Sequence, residues 1–139
     1  MKATEQDKEY ALKILMQGSS LHDLLGILQN ICEKLTLTNL NPKTKQFKNF
    51  QFTFFGLMAR SKSILEMMVY RTEFLKQSAP EFGQIHSDLV KLQRQTQKAY
   101  GFIHSHKMSE GRKQIIECSK QYQHVFEEIT TAGHRMMIP

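Results

Sequence analysis

Apolar residues return at alternating steps of three and four through four long stretches of the chain, the spacing of one face of an α-helix. The pattern is cleanest in the second half, where Phe82, Ile85, Leu89, Leu92, Thr96, Ala99, Ile103 and His106 fall on one stripe. It predicts a helix over 79–106, about 28 residues and about 42 Å long. Ser78-Ala79-Pro80-Glu81 reads as a capping box, with Ser78 at the N-cap and Glu81 reaching back. Proline in a first turn loses nothing, because its missing N–H would have no helical partner. Ile115, Cys118, Tyr122, Val125, Ile129, Ala132 and Met136 mark another helix over 109–137, with Ser109 as its N-cap. Lys107, Met108 and Ser109 alone are left for the turn, and so short a link makes the two helices antiparallel neighbours. Leu92 should then come level with Tyr122, and Ile85 with Ile129.

The first half repeats the arrangement. Ala11, Ile14, Gly18, Leu21, Leu25, Leu28, Cys32 and Leu35 form a stripe across 4–36. Gly18-Ser19-Ser20 interrupts it, and Ser20 followed by Asp23 has the form of a fresh helix cap. The apolar phase runs through unchanged, which predicts a single helix, kinked or locally weak there. Residues 37–46, rich in Thr, Asn and Pro, read as a loop. Phe50, Phe54, Leu57, Ser61, Leu65, Met68, Thr72 and Leu75 then predict a helix over 46–77. The rival is a short strand with Phe50, Phe52 and Phe54 on one face. It ranks lower, because a lone strand has no neighbour to take its backbone hydrogen bonds. Four helices with one apolar stripe each bury those stripes together, so the expected fold is all-α. The specific expectation is an antiparallel up-down-up-down four-helix bundle in one domain over 1–139. Stripes this long also suit pairing between chains, which leaves a homodimer open.

At 40% apolar residues the chain can build a single core, burying about two-thirds of its unfolded surface. Its longest apolar runs are far too short to span a bilayer. The opening Met1-Lys2-Ala3-Thr4-Glu5 leads into charge and not into the apolar stretch of a secretory signal. A cytoplasmic protein with no membrane partner is expected. Cys32 and Cys118 are far apart in the chain and both on stripes, as core packers and not as a disulfide framework.

Charge is unevenly placed. Residues 34–65 hold Lys34, Lys43, Lys45, Lys48, Arg60 and Lys62 and no acid. That window carries the whole formal excess of +6, since thirteen cations balance thirteen acids elsewhere. Phe47, Phe50, Phe52, Phe54 and Phe55 lie inside it. On a helix centred on Phe54, Phe47 and Phe50 face inward and Phe55 lies on the flank. Phe52 points about 160° away, on the outer face that Tyr70 shares. A free-standing bundle has no use for an outward phenylalanine, and cations at a helix N-terminus oppose the macrodipole. Lys43, Lys45, Lys48, Phe52, Phe55, Arg60 and Lys62 are therefore the candidate partner-binding residues, suited to an acidic protein surface.

Catalytic chemistry is poorly represented. The chain has no glycine-rich phosphate loop, Ser-His-Asp arrangement or paired carboxylates, so a non-enzymatic protein without cofactor is expected. His104 and His106 stand two apart, about 200° around a helix, and do not share a metal. No metal site is predicted. Ser20-Leu21-His22-Asp23-Leu24-Leu25-Gly26-Ile27-Leu28-Gln29-Asn30-Ile31 resembles the phosphoacceptor helix of histidine kinases and related phosphotransfer proteins. His22, Asp23, Leu24, Gly26, Leu28 and Ile31 match that pattern, and Ile27 stands where the family commonly has proline. The resemblance covers about a dozen residues. It implies His22 as a phosphoacceptor, with Asp23 orienting it or taking its proton. The ATP-binding motifs of a kinase catalytic domain are missing, so phosphate would be relayed and not generated. Three functions follow in order: an interaction module for an acidic protein, a phosphorelay intermediate using His22, and sequence-tolerant nucleic-acid binding through the same cations.

Overall fold

The computed structural model describes residues 3–38 and 43–138. Four helices account for almost all of them: α1 (Glu5–Thr38), α2 (Lys45–Leu75), α3 (Glu81–His104) and α4 (Met108–Met137). Each packs on two neighbours, in the ring α1–α2–α3–α4–α1, so the molecule is an up-down-up-down four-helix bundle. The expected helix limits fall within two or three residues of those found. Part of the predicted 37–46 loop lies outside the described residues, as does the Leu35 side chain.

The core follows a heptad spacing on every helix. Leu21, Leu25 and Leu28 on α1 meet Phe54, Leu65 and Met68 on α2, Leu89 and Leu92 on α3, and Ile115, Tyr122 and Ile129 on α4. A step that averages 3.5 residues keeps one narrow seam facing the axis along a whole helix. On α2 the seam runs through Met58, while Phe50 and Leu57 are only half-buried, which corrects the predicted stripe there. His106 and Met136, placed on stripes by periodicity, are exposed and half-buried respectively, because both sit at or beyond helix ends.

Close approaches set the register. Gly111 lies against Ile103, where a Cβ would collide with that side chain. Counting back from this contact along antiparallel helices brings Leu92 level with Tyr122 and Ile85 level with Ile129. Between α1 and α4, the Tyr122 hydroxyl donates to the Gly18 carbonyl at 2.7 Å, and a Cβ on Gly18 would stand 3.2 Å from that oxygen. Gly18 is thus not a break in α1. The helix is continuous from Glu5 to Thr38, and Asp23 is an exposed mid-helix residue and not a cap.

The caps differ from those expected. Ser78 and Glu81 do not form a capping box, since α3 begins after Pro80 with no side-chain cap. The N–H groups of Phe82 and Gly83 bond instead to the Ala79 and Pro80 carbonyls in a tight turn. Ser109 lies inside the first turn of α4, whose N-cap position is Lys107. The real capping box is at the start of α1. The Thr4 N–H donates to the Asp7 carboxylate at 2.9 Å and the Asp7 N–H to the Thr4 hydroxyl at 3.0 Å, with Asp7 buried. α2 starts from Thr44, whose hydroxyl accepts from the Phe47 N–H at 3.3 Å. α3 ends in a Schellman motif: Lys107 N–H bonds to Phe102 C=O and His106 N–H to Ile103 C=O. His106 takes the left-handed position with φ 61°, a place glycine usually fills.

Leu89→Ala and Ile129→Ala should each lower unfolding free energy by about 2–5 kcal/mol in denaturant titrations. His106→Gly should leave stability unchanged or raise it by up to about 1 kcal/mol, because it relieves the left-handed strain.

Candidate interaction surface

Phe52 is 82% exposed, pointing away from the core as its helical phase requires. Phe55, one turn on, is half-buried in the crease between α2 and α3. Its ring meets Tyr100 at 5.0 Å and His104 at 6.1 Å, and Tyr100 stacks on His104 at 6.0 Å. Tyr100 and His104 are both exposed. An aromatic ledge therefore runs across two helices, where the chain alone pointed to one.

Antiparallel pairing explains the rest. His86 Nδ1 lies 3.0 Å from the Thr72 hydroxyl, and Phe47 pairs with His106 at 6.4 Å, which fixes the level of α3 against α2. Residues 47–65 of α2 thereby lie beside residues 92–104 of α3 and the turn that follows it. Residues 89–109 contain Lys91, Arg94, Lys98 and Lys107 and no acid. Two acid-free segments, distant in the chain, lie side by side. A groove of about 510 Å³ separates them, lined by Met58, Ala59, Lys62, Leu65, Glu66, Gln93, Arg94, Thr96, Gln97 and Tyr100. Lys62 and Arg94 sit at one level on opposite walls. Arg60, about 200° round α2 from Lys62, does not line the groove. Lys43, Lys45 and Lys48 are exposed around the first turns of α2, which has no acid in its first turn.

The whole molecule is polarised along its axis. Among the described residues, the half formed by 22–63 and 94–122 carries twelve cations and four acids. The half formed by 3–21, 64–93 and 123–138 carries six cations and nine acids. Acidic groups in that second half are used locally. Lys76 bonds Glu73 at 2.8 Å and holds its carboxyl below the usual range, and Glu73 also reaches His86 Nε2 at 2.9 Å.

His22 lies elsewhere, on the α1–α4 flank. Its side chain is 41% exposed, Nδ1 is 3.9 Å from the Asp23 carboxylate, and Nε2 is 3.2 Å from Gln123 Oε1. The ring lies against Phe126 at 4.8 Å. Cys32 and Cys118 are buried, and burial pushes their thiols up to about 12 and about 11. Among the described residues no three His, Cys, Asp or Glu side chains come together as metal ligands. No helix among them is long and apolar enough to cross a membrane. Compared with protein-family models, curated proteins and solved structures, the chain matches none.

Sequence reasoning reached the α2 half of this surface and missed Arg94, Lys98, Tyr100 and His104. The signal was present: an acid-free run from 89 to 109, which becomes informative once the hairpin register is applied to it.

Phe52→Ala should leave the melting temperature within error of the parent, whereas Phe54→Ala, at a fully buried position, should cost about 3–5 kcal/mol. The thiols give a pH prediction. An unfolded cysteine loses its proton near 9.0, while folded Cys32 and Cys118 hold theirs to about 12 and about 11. Stability should therefore be intact below pH 9.0 and decline as pH rises through that interval. Alkylation at neutral pH should modify both thiols in denaturant and neither in the native protein.

Proposed function

We propose that the protein is a non-enzymatic interaction module that binds an acidic protein through the α2–α3 face. The observation that carries this is Phe52, 82% exposed on a face built by residues 43–65 and 89–109, which hold no acid and, with Arg60 on the far side of α2 left out, eight cations. Isolated exposed apolar residues are ordinary, but an aromatic ledge of Phe52, Phe55, Tyr100 and His104 ringed by lysines combines two recognition terms. Desolvating an aromatic anchor supplies affinity, and the surrounding charge speeds encounter and selects an acidic partner.

Phe52→Ala should weaken binding by about 2 kcal/mol through faster dissociation. Changing Lys43, Lys45 and Lys48 together to Gln should mainly slow association and flatten its dependence on salt. The check is capture from the native host by the parent and by a Phe52→Ala, Lys48→Gln variant, followed by association kinetics with the captured protein. Equal capture by both would overturn the proposal, as would captured material that nuclease removes.

A second reading rests on the exposure of His22 and its neighbouring Asp23 carboxylate. His22 would accept a phosphoryl group from a phosphorylated receiver domain, a P–O bond giving way to a P–N bond on the ring. Gln123, now on Nε2, would have to swing aside. Acid-labile label on the parent and none on His22→Ala is the expected result. No label from any of the host's receivers would remove this reading.

A further inference from the structure

We infer that the occupant of the α2–α3 groove is a single acidic amphipathic helix, lying along the groove with its C-terminus towards Lys48 at the start of α2. This rests on the reading of the face as a protein-binding surface and specifies the form of the partner. Three observations carry it. The walls repeat at threes and fours, Ala59, Lys62 and Glu66 on α2 and Gln93, Gln97 and Tyr100 on α3. That periodicity accepts the side-chain ridge of a third helix.

The walls also have no free backbone. Both are helices whose N–H and C=O groups are bonded internally, so the groove has no edge for an extended peptide to pair with. A segment entering an apolar-floored crease must satisfy its own backbone, and a helix does so. The floor is apolar where Met58 and Leu65 are buried, and Ala59 leaves room above them. The lining runs from Met58 to Glu66 on α2, about 12 Å or two turns, and an occupant that continues over the aromatic ledge to the level of Phe52 covers about 21 Å, about four turns.

Charge sets both the sign and the direction. Lys62 and Arg94 face each other across the groove, so carboxylates on both flanks of the entering helix find a cation. The lining's one acid, Glu66, stands at the far end, where the acid-rich half of the molecule begins. A helix carries partial positive charge at its N-terminus and negative at its C-terminus. Its N-terminus therefore belongs by Glu66, and its C-terminus by the acid-free end. The occupant runs parallel to α3 and antiparallel to α2.

The test uses a synthetic peptide of about 16 residues with leucines at heptad positions and glutamates elsewhere. Its arms are a scrambled isomer of the same composition, a single-stranded oligothymidylate, and the protein alone in sedimentation equilibrium. The amphipathic peptide should bind and gain helicity, with the scrambled isomer weaker by about tenfold or more. Ala59→Trp, which fills the groove at an exposed position, should weaken binding by about tenfold without changing the melting temperature. A spin label on the peptide N-terminus should broaden the amide signal of Glu66 and spare that of Lys48. Equal binding of both isomers would overturn the helical occupant while leaving the acidic-partner reading in place. Broadening at Lys48 would overturn the orientation. Binding of the oligonucleotide and neither peptide would overturn the underlying reading, and so would a protein dimer whose formation closes the groove.

Discussion

The Tyr122 phenol, buried and donating to the Gly18 carbonyl, holds α4 against α1 at one level, and the Gly111–Ile103 contact does the same for α4 and α3. A heptad seam by itself tolerates slippage by a whole heptad, because every layer of aliphatic residues resembles the next. A hydroxyl buried in such a core must find an acceptor, which removes that tolerance. Gly18 serves this purpose: without a side chain, the helix surface lets the phenol reach a carbonyl. Burial raises the Tyr122 pKa above its ordinary value, so the group remains a neutral donor across the physiological range.

Once the levels are fixed, the charge pattern is fixed with them. Along the chain, cations and acids alternate often enough that a single basic window stands out. In the bundle, antiparallel pairing collects the start of α2, the end of α3 and the start of α4 at one end, and their cations add. Acids gather at the other end, where α2 leads into α3. The basic end does not help the fold, since the cations at the α2 N-terminus oppose that helix's dipole and like charges repel across the groove, whereas the acids in the first turns of α1 and α3 favour theirs. Such a distribution costs stability locally and is compensated by the continuous core beneath it.

Most of the fold was legible because the heptad spacing is regular and the turns are short. Periodicity gave helix number, limits and pairing, and the α3–α4 register follows from a link of three residues. Misreadings fell where local chemistry competes closely. Ser78, Pro80 and Glu81 have the composition of a capping box, yet the tight α2–α3 turn satisfies the first N–H groups through carbonyls instead. Gly18, expected as a kink or weak point within one helix, takes its role only from a partner across the core, 104 residues later. The outward direction of Phe52 was legible from 100° per residue alone. Tyr100, His104, Arg94 and Lys98 became part of the same surface only through tertiary pairing, which no local window contains.

Core and surface are separable in this architecture, and that separation bears on how function could be built on it. Positions facing the axis are set by packing, and Phe54, one step of the seam, has almost no latitude. Phe52, two residues earlier on the opposite side of the same helix, makes no demand on the core and receives no support from it. An aromatic kept at such a position against water, among cations that a helix start disfavours, has no account in the stability of the bundle itself. Tyr100 is less detached, since it stacks on His104 at the surface and also packs on the half-buried Phe55. Phe52, which the fold neither needs nor benefits from, is thus the position on this face that packing leaves free to vary without cost to the core.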